Sequence, residues 1–299
     1  MSANLLLLLT AAIWGSTFVV QQTVLDHLGP MAFTAARFLL GGLVVLPMAL
    51  RDLRRLAREG RGPGPGTWLA MAATGGALFA GSALQQIGIG LTTVTNAGFL
   101  TGLYVPLVPL LALLFLREVP HPVVWPAAAG CLAGTWMLTG AAAVVPSDGD
   151  LWVIAGALFW ALHVILIGAV GMRTGAPVLV AAVQFFVCAL LAAAAAAATE
   201  METTTPAALA AAWWEIGYAG LFSVGLAYTF QAVGQRWTAA SDAAILLSSE
   251  AVFAALAGAV FLAERPGPIE LAGCAVILAC ILVVQVLPMR RPAPAAVAD

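Results

Sequence analysis

Two stretches decide the fold: LQQIGIGLTTVTNAGFLTGLYVPLVPLLALLFLREVP at 84–120 and FQAVGQRWTAASDAAILLSSEAVFAALAGAVFLAERP at 230–266. Offset by 146 positions, they agree at about ten places, among them Gln85 with Gln231, Gly88 with Gly234, Glu118 with Glu264 and Pro120 with Pro266. Apolar composition alone would not supply the polar matches, so the chain contains an internal repeat. The same offset sets Trp14 over Trp160, and one three residues shorter sets Gly130-Cys131 over Gly273-Cys274.

The repeated material is built for lipid. Of 299 residues 62% are hydrophobic and 9% charged, against about 45–50% and 25% in a soluble domain. Apolar runs of helical length alternate with short stretches that hold the charge and most prolines. A bilayer core of about 30 Å requires about 20 helical residues, and only helices or closed barrels satisfy their backbone there. The runs predict an all-α polytopic membrane protein with ten transmembrane helices, near 3–24, 30–50, 67–89, 94–116, 122–140, 151–169, 177–198, 211–233, 239–262 and 268–288. The opening MSANLLLLLTAAIWG lacks a basic n-region and a cleavage site, so it reads as the first span, retained.

Basic residues orient the spans, because arginine and lysine resist translocation. The chain has no lysine. With the N-terminus inside, Arg51, Arg54, Arg55, Arg58, Arg61, Arg117, Arg173, Arg236, Arg290 and Arg291 all fall on the cytoplasmic side, Arg265 falls outside, and Arg37 lies within the second span. Both termini are therefore expected in the cytoplasm. The chain divides into a first repeat at 1–146, a second at 147–289 and a disordered cytoplasmic tail at 290–299, and RGPGPG at 61–66 reads as a linker. Five spans per half is an odd number, so the second half enters from the opposite side and the repeats are inverted. Inverted repeats recur in secondary transporters, with substrate near the midplane at the repeat interface. Alternating access follows, with substrate expected among spans 1, 3, 4, 6, 8 and 9.

Several classes are excluded. A net charge of −2 without a basic stripe argues against nucleic acid. Cys131, Cys188, Cys274 and Cys280 lie in apolar runs without CxxC spacing and read as packing residues, so neither disulfide, metal nor cofactor is expected. No HExxH, nucleophile motif or paired aspartates support an intramembrane enzyme, and no Walker-type sequence supports ATP-driven pumping. A gradient must drive transport, and the expected partners are a small-molecule substrate and the bilayer, the chain acting as a monomer.

Trp14-Gly15-Ser16-Thr17-Phe18, Arg37-Phe38 and the paired endings LLALLFLREVP and FAALAGAVFLAERP resemble the EamA domain of the drug/metabolite transporter superfamily, over residues 3–288. The resemblance implies a ten-helix basket with a central cavity in a bacterial inner membrane. It also implies export of amino acids and related metabolites. It is nearest to the aromatic amino acid exporters, with threonine/homoserine and cysteine exporters as alternatives and export of amphipathic drugs as a further one. The second half departs from the pattern: it lacks Gly15-Ser16-Thr17 and has Gln184-Phe185 where the first has Arg37-Phe38.

Ionisable groups within spans are costly and suggest function. Glu250, after Ser248 and Ser249, is a candidate proton carrier or substrate-amine ligand, or else a structural acid paired with Arg37 or capped by hydroxyls. His163 is a candidate ligand or a satisfied core histidine. Arg37, near the start of its span, is read as snorkelling or anchoring a carboxylate, with a possible gating part. Gln85 binds substrate or bridges helices, as Gln86, Asn96, Gln184 and Gln231 would. Tyr104 stands where the repeat has Glu250, so inversion would set the two across one cavity. Trp14 and Trp160 are candidates for stacking on substrate, whereas Trp213 and Trp214 read as interfacial anchors. The duplicated Glu118 and Glu264 are expected at loop or gate contacts.

Overall fold

In the computed structural model, residues 3–92, 94–141, 147–261 and 265–286 are described. All regular structure among them is helical. The spans are α1 (Ala3–Thr23), α2 (Pro30–Arg58), α3 (Pro65–Ile89), α4 (Ala97–Leu116), α5 (Val124–Leu138), α6 (Asp148–Thr174), α7 (Pro177–Thr199), α8 (Trp213–Gln235), α9 (Ala240–Ala257) and α10 (Pro268–Val286). Eight are long and apolar enough to cross a bilayer, and the shorter apolar α5 and α10 occupy the fifth and tenth places.

Local chemistry sets several boundaries. Proline occupies the first turn of α2, α3 and α7, where its missing N–H costs nothing and its fixed φ favours helix. A capping box starts α6: Ser147 Oγ accepts from Asp150 N–H, and the Asp150 carboxylate accepts from Ser147 N–H. Thr92 Oγ1 donates to the same carboxylate at 2.6 Å, tying α6 to the loop after α3. Apolar runs understate α2 by two turns, because the helix continues through Arg51–Arg58 beyond its hydrophobic part. The short helix Pro206–Ala211, capped by Thr205, is apolar but far too short for a span and was not expected.

The halves interlock. α2 packs on α7 and α5 on α10, each pair joining equivalent helices. α1 packs on α8 and α9, while α6 packs on α3 and α4. This exchange is what two inverted five-helix repeats related by a pseudo-two-fold require. Lipid tails are as apolar as leucine, so the helices associate through close packing and hydrogen bonds. A Cβ on Gly15 would stand 2.6 Å from the Glu250 carbonyl oxygen, and one on Gly134 would stand 2.8 Å from that of Gly273. Glycine is what lets α1 approach α9 and α5 approach α10. Across other seams Thr10 Oγ1 donates to Ala227 O at 2.9 Å, Gln86 Nε2 to Gln21 O at 2.7 Å and Gln235 Nε2 to Val164 O at 2.8 Å.

Candidate functional site

Tyr228 is the hub of the centre. Its ring lies 4.5 Å from Trp14, 5.7 Å from Phe38, 6.0 Å from His163, 6.1 Å from Phe185 and 6.3 Å from Trp160, centroid to centroid. The Trp160 ring is stacked, at 17° to Tyr228. Trp14 and Trp160 thus approach one side chain from opposite halves, as do the repeat-related Phe38 and Phe185. Tyr228 ends a π-helical stretch, Ala219–Tyr228, inside α8, and such distortions are frequent at functional sites.

Two helix breaks frame this cluster. α4 is interrupted at Gly102-Leu103 and α9 at Ser248-Ser249, and the 146-residue offset superposes these interruptions. Tyr104 and Glu250 open the helical segments that follow. Ser248 and Ser249 donate their hydroxyls back to Ile245 O and Leu246 O, both at 2.7 Å, so both hydroxyls serve the break. Discontinuous helices at a repeat interface are a common way for transporters to expose backbone to substrate.

Glu250 is buried, and both Tyr104 and Tyr228 lie within its electrostatic reach. The inversion thus brings Tyr104 and Glu250 to one buried region: Tyr104 is 4% exposed, Tyr228 5% and Glu250 8%. The pairing of Glu250 with Arg37 does not form. Arg37 donates to Gln21 Oε1 at 3.1 Å and lies between the Phe33 and Phe38 rings, 5.0 and 5.1 Å from their centroids. It does not snorkel either, because α2 and its neighbours bury it to 2% exposure.

His163 Nε2 shares a 2.8 Å hydrogen bond with Gln184 Oε1, joining α6 to α7. Trp14 Nε1 donates to Ser223 O at 3.4 Å. Gln85 Nε2 donates to Thr101 Oγ1 at 2.8 Å, so its amide bridges α3 and α4. Its repeat mate Gln231 has neither amide atom bonded among the described residues, because the offset puts Leu247 where Thr101 stands. Tyr104 Oη, Trp160 Nε1, His163 Nδ1 and Gln184 Nε2 are buried without partners in the same way. Glu118 is exposed beyond the end of α4 and away from the cluster. Glu264 lies outside the described residues, as do the side chain of Asn96 and the tail. Trp213 and Trp214 are exposed at the start of α8.

Sequence reading missed Tyr228, Phe38 and Gln21 as components. The offset places Tyr228 over Ser82, so the repeat gave no mark. Its one signal was rarity, the chain having three tyrosines.

A buried aromatic and amide centre between inverted halves, beside two symmetry-related helix breaks, defines the class as a multi-pass membrane transporter. The sequence matches the EamA-like transporter family twice, over residues 1–140 and 147–286, and the chain belongs to that family. An uncharacterized transporter of Archaeoglobus fulgidus is 31% identical over 283 residues, covering 95% of this chain and 85% of that protein. The uncharacterized transporter YwfM of Bacillus subtilis is 28% identical over 294 residues, covering 96% and 95%. A solved crystal structure shares the fold with a TM-score of 0.77 at 22% identity, covering 95% of this chain and 96% of its own. Neither relative's name states a substrate.

Proposed function

We propose that this transporter is a gradient-driven exporter of neutral amino acids, aromatic ones foremost, and related metabolites, residing as a monomer in a bacterial inner membrane with both termini cytoplasmic. Family membership supports transport. The observation that carries the substrate class is the coincidence of aromatic faces with unpaired amides and a carboxylate. Trp14, Trp160 and Tyr228 offer stacking surfaces, Gln184 and Gln231 offer unsatisfied amide atoms, and Glu250 offers a counter-charge for an ammonium group. In this reading Tyr104 and His163 complete the site, and Arg37 holds the aromatic wall from behind. The breaks in α4 and α9 supply the flexible points about which the halves exchange inward-open and outward-open forms.

A second reading, export of amphipathic drugs, has its own support in an apolar cleft of about 700 Å³ between α2 and α7, lined by Leu39, Phe186, Leu190 and Met201. Counterflow of labelled amino acids into proteoliposomes distinguishes the readings. Saturable exchange of aromatic or other neutral amino acids, lost in Tyr228→Ala, supports the first. Absence of flux for every amino acid, from folded protein that exchanges a cationic dye, would transfer the assignment to the second.

A further inference from the structure

Away from the centre, four arginines from separate segments converge on the turn between α6 and α7. Arg55 Nη2 donates to Gly175 O at 3.3 Å. A methyl group at Gly175 would stand 3.5 Å from Arg61 Nη2 and 3.6 Å from Arg236 Nη2. Arg173, in the last turn of α6, lines an adjoining pocket of about 400 Å³ together with Arg61 and Thr67. Arg236 is held by its own neighbour, its guanidinium 4.8 Å from the Trp237 ring centroid.

Charge is unbalanced at this turn. Asp52 and Glu59 pair with Arg55, and Glu59 is shared with Arg61, so two carboxylates face four guanidinium groups. The N-terminus of α3, at Pro65, opens on the same pocket and adds the positive end of its dipole. Leu56, Ala70 and Val170 supply an apolar floor. Forked guanidinium groups match phosphate oxygens. Basic pockets between helices at a membrane face bind anionic headgroups.

We infer that the pocket lined by Arg61 and Arg173, with Arg236 beside it at the Gly175 turn, binds a phosphate-bearing anion, the chemistry shared by an anionic phospholipid headgroup and free phosphate. The apolar floor suits a headgroup with its glycerol attached. The site lies outside the central aromatic cluster and does not rest on the transport reading.

The test is thermal unfolding of the full chain in a neutral detergent. Dioleoylphosphatidylglycerol and dioleoylphosphatidylcholine would be added in parallel, with inorganic phosphate against chloride at equal ionic strength. Wild type and the charge-matched control Arg51→Gln/Arg54→Gln/Arg58→Gln are expected to gain a few degrees from phosphatidylglycerol and none from phosphatidylcholine. Arg61→Gln/Arg173→Gln/Arg236→Gln is expected to lose that gain. Should the triple variant fail to fold, Arg173→Gln alone, at an exposed position, decides with a smaller loss. An equal gain from inorganic phosphate would uphold the pocket with a free anion as its ligand. No gain in wild type from either probe, or the same loss in the control, would overturn the inference and leave only diffuse surface charge.

Discussion

Replacing Gln231 by leucine separates a polar group kept for substrate from one kept for structure. Gln231 is 0% exposed, and neither amide atom has a partner among the described residues. A buried unpaired polar group costs about 1–3 kcal/mol, so leucine, of similar volume, stabilises the closed protein by at least about 1 kcal/mol. The repeat mate gives the opposite sign. Gln85→Leu removes the bond to Thr101 Oγ1, worth about 0.6–1 kcal/mol between helices in a membrane. Thr101 still donates to Ala97 O at 2.7 Å and is not itself orphaned. At about 2–4 °C per kcal/mol, thermal unfolding in detergent should rise by a few degrees for Gln231→Leu and fall by a few for Gln85→Leu. Counterflow should move the other way, because losing one substrate hydrogen bond of about 0.5–1.5 kcal/mol raises the half-saturation concentration of Gln231→Leu by about twofold to twelvefold. The Gln85→Leu value should stay near wild type. A Gln231→Leu protein that melts below wild type as Gln85→Leu does, with unchanged half-saturation, would refute the reasoning.

Gly134→Leu drives a side chain into the Gly273 carbonyl, 2.8 Å from its Cβ; a loss of about 1–3 kcal/mol or more is expected, read as lower melting temperature and yield, with Gly134→Ala intermediate. Glu200 accepts Met31 N–H at 2.9 Å and Ala32 N–H at 2.8 Å, so it caps α2 from the end of α7. Glu200→Ala should cost about 1 kcal/mol and loosen the α2 start, measurable as faster amide exchange at Met31 and Ala32. If Glu250 carries a proton rather than serving as counter-charge for the substrate ammonium, Glu250→Gln should abolish flux driven by a pH gradient while substrate exchange remains measurable; as a counter-charge, its loss should raise the half-saturation concentration for exchange. Equal loss of both from folded protein would leave Glu250 a structural acid.

The frame was legible because lipid imposes one rule, that apolar runs be helical and long enough, and because duplication repeats it. Interior details were not, for reasons that particular residues show. Arg37 reads as snorkelling from its place near a span end, yet Gln21 and two phenylalanines hold it inside, an arrangement no local pattern encodes. Ser248 reads as a ligand beside Glu250, and the sequence does not show that its hydroxyl also donates to Ile245 O one turn back. Tyr228 carries no repeat mark and becomes central only because the inversion aims four rings and His163 at it. Gln85 and Gln231 look equivalent, and the difference between them lies in Thr101, a partner that matters only once α3 meets α4, and in Leu247, which offers no hydroxyl at the matching position.

Where the repeats agree, they hold the frame and line the centre from both halves; where they diverge, they give the centre its asymmetry. Trp14 and Trp160, Phe38 and Phe185, and the breaks at Gly102-Leu103 and Ser248-Ser249 keep the two halves mechanically alike. In the proposed alternating-access cycle, that likeness would let inward-facing and outward-facing forms lie near in energy. Tyr104 against Glu250, Thr17 against His163, Thr101 against Leu247 and Ser82 against Tyr228 break the symmetry only inside. The consequence is energetic as well as chemical. Among the described residues the centre leaves amide, indole and phenol groups without protein partners, and a buried polar group left so costs free energy until something hydrogen-bonds it. On the proposed reading, a substrate that supplied those hydrogen bonds would favour the form that holds it, so the groups that recognise it would also make passage depend on its being bound.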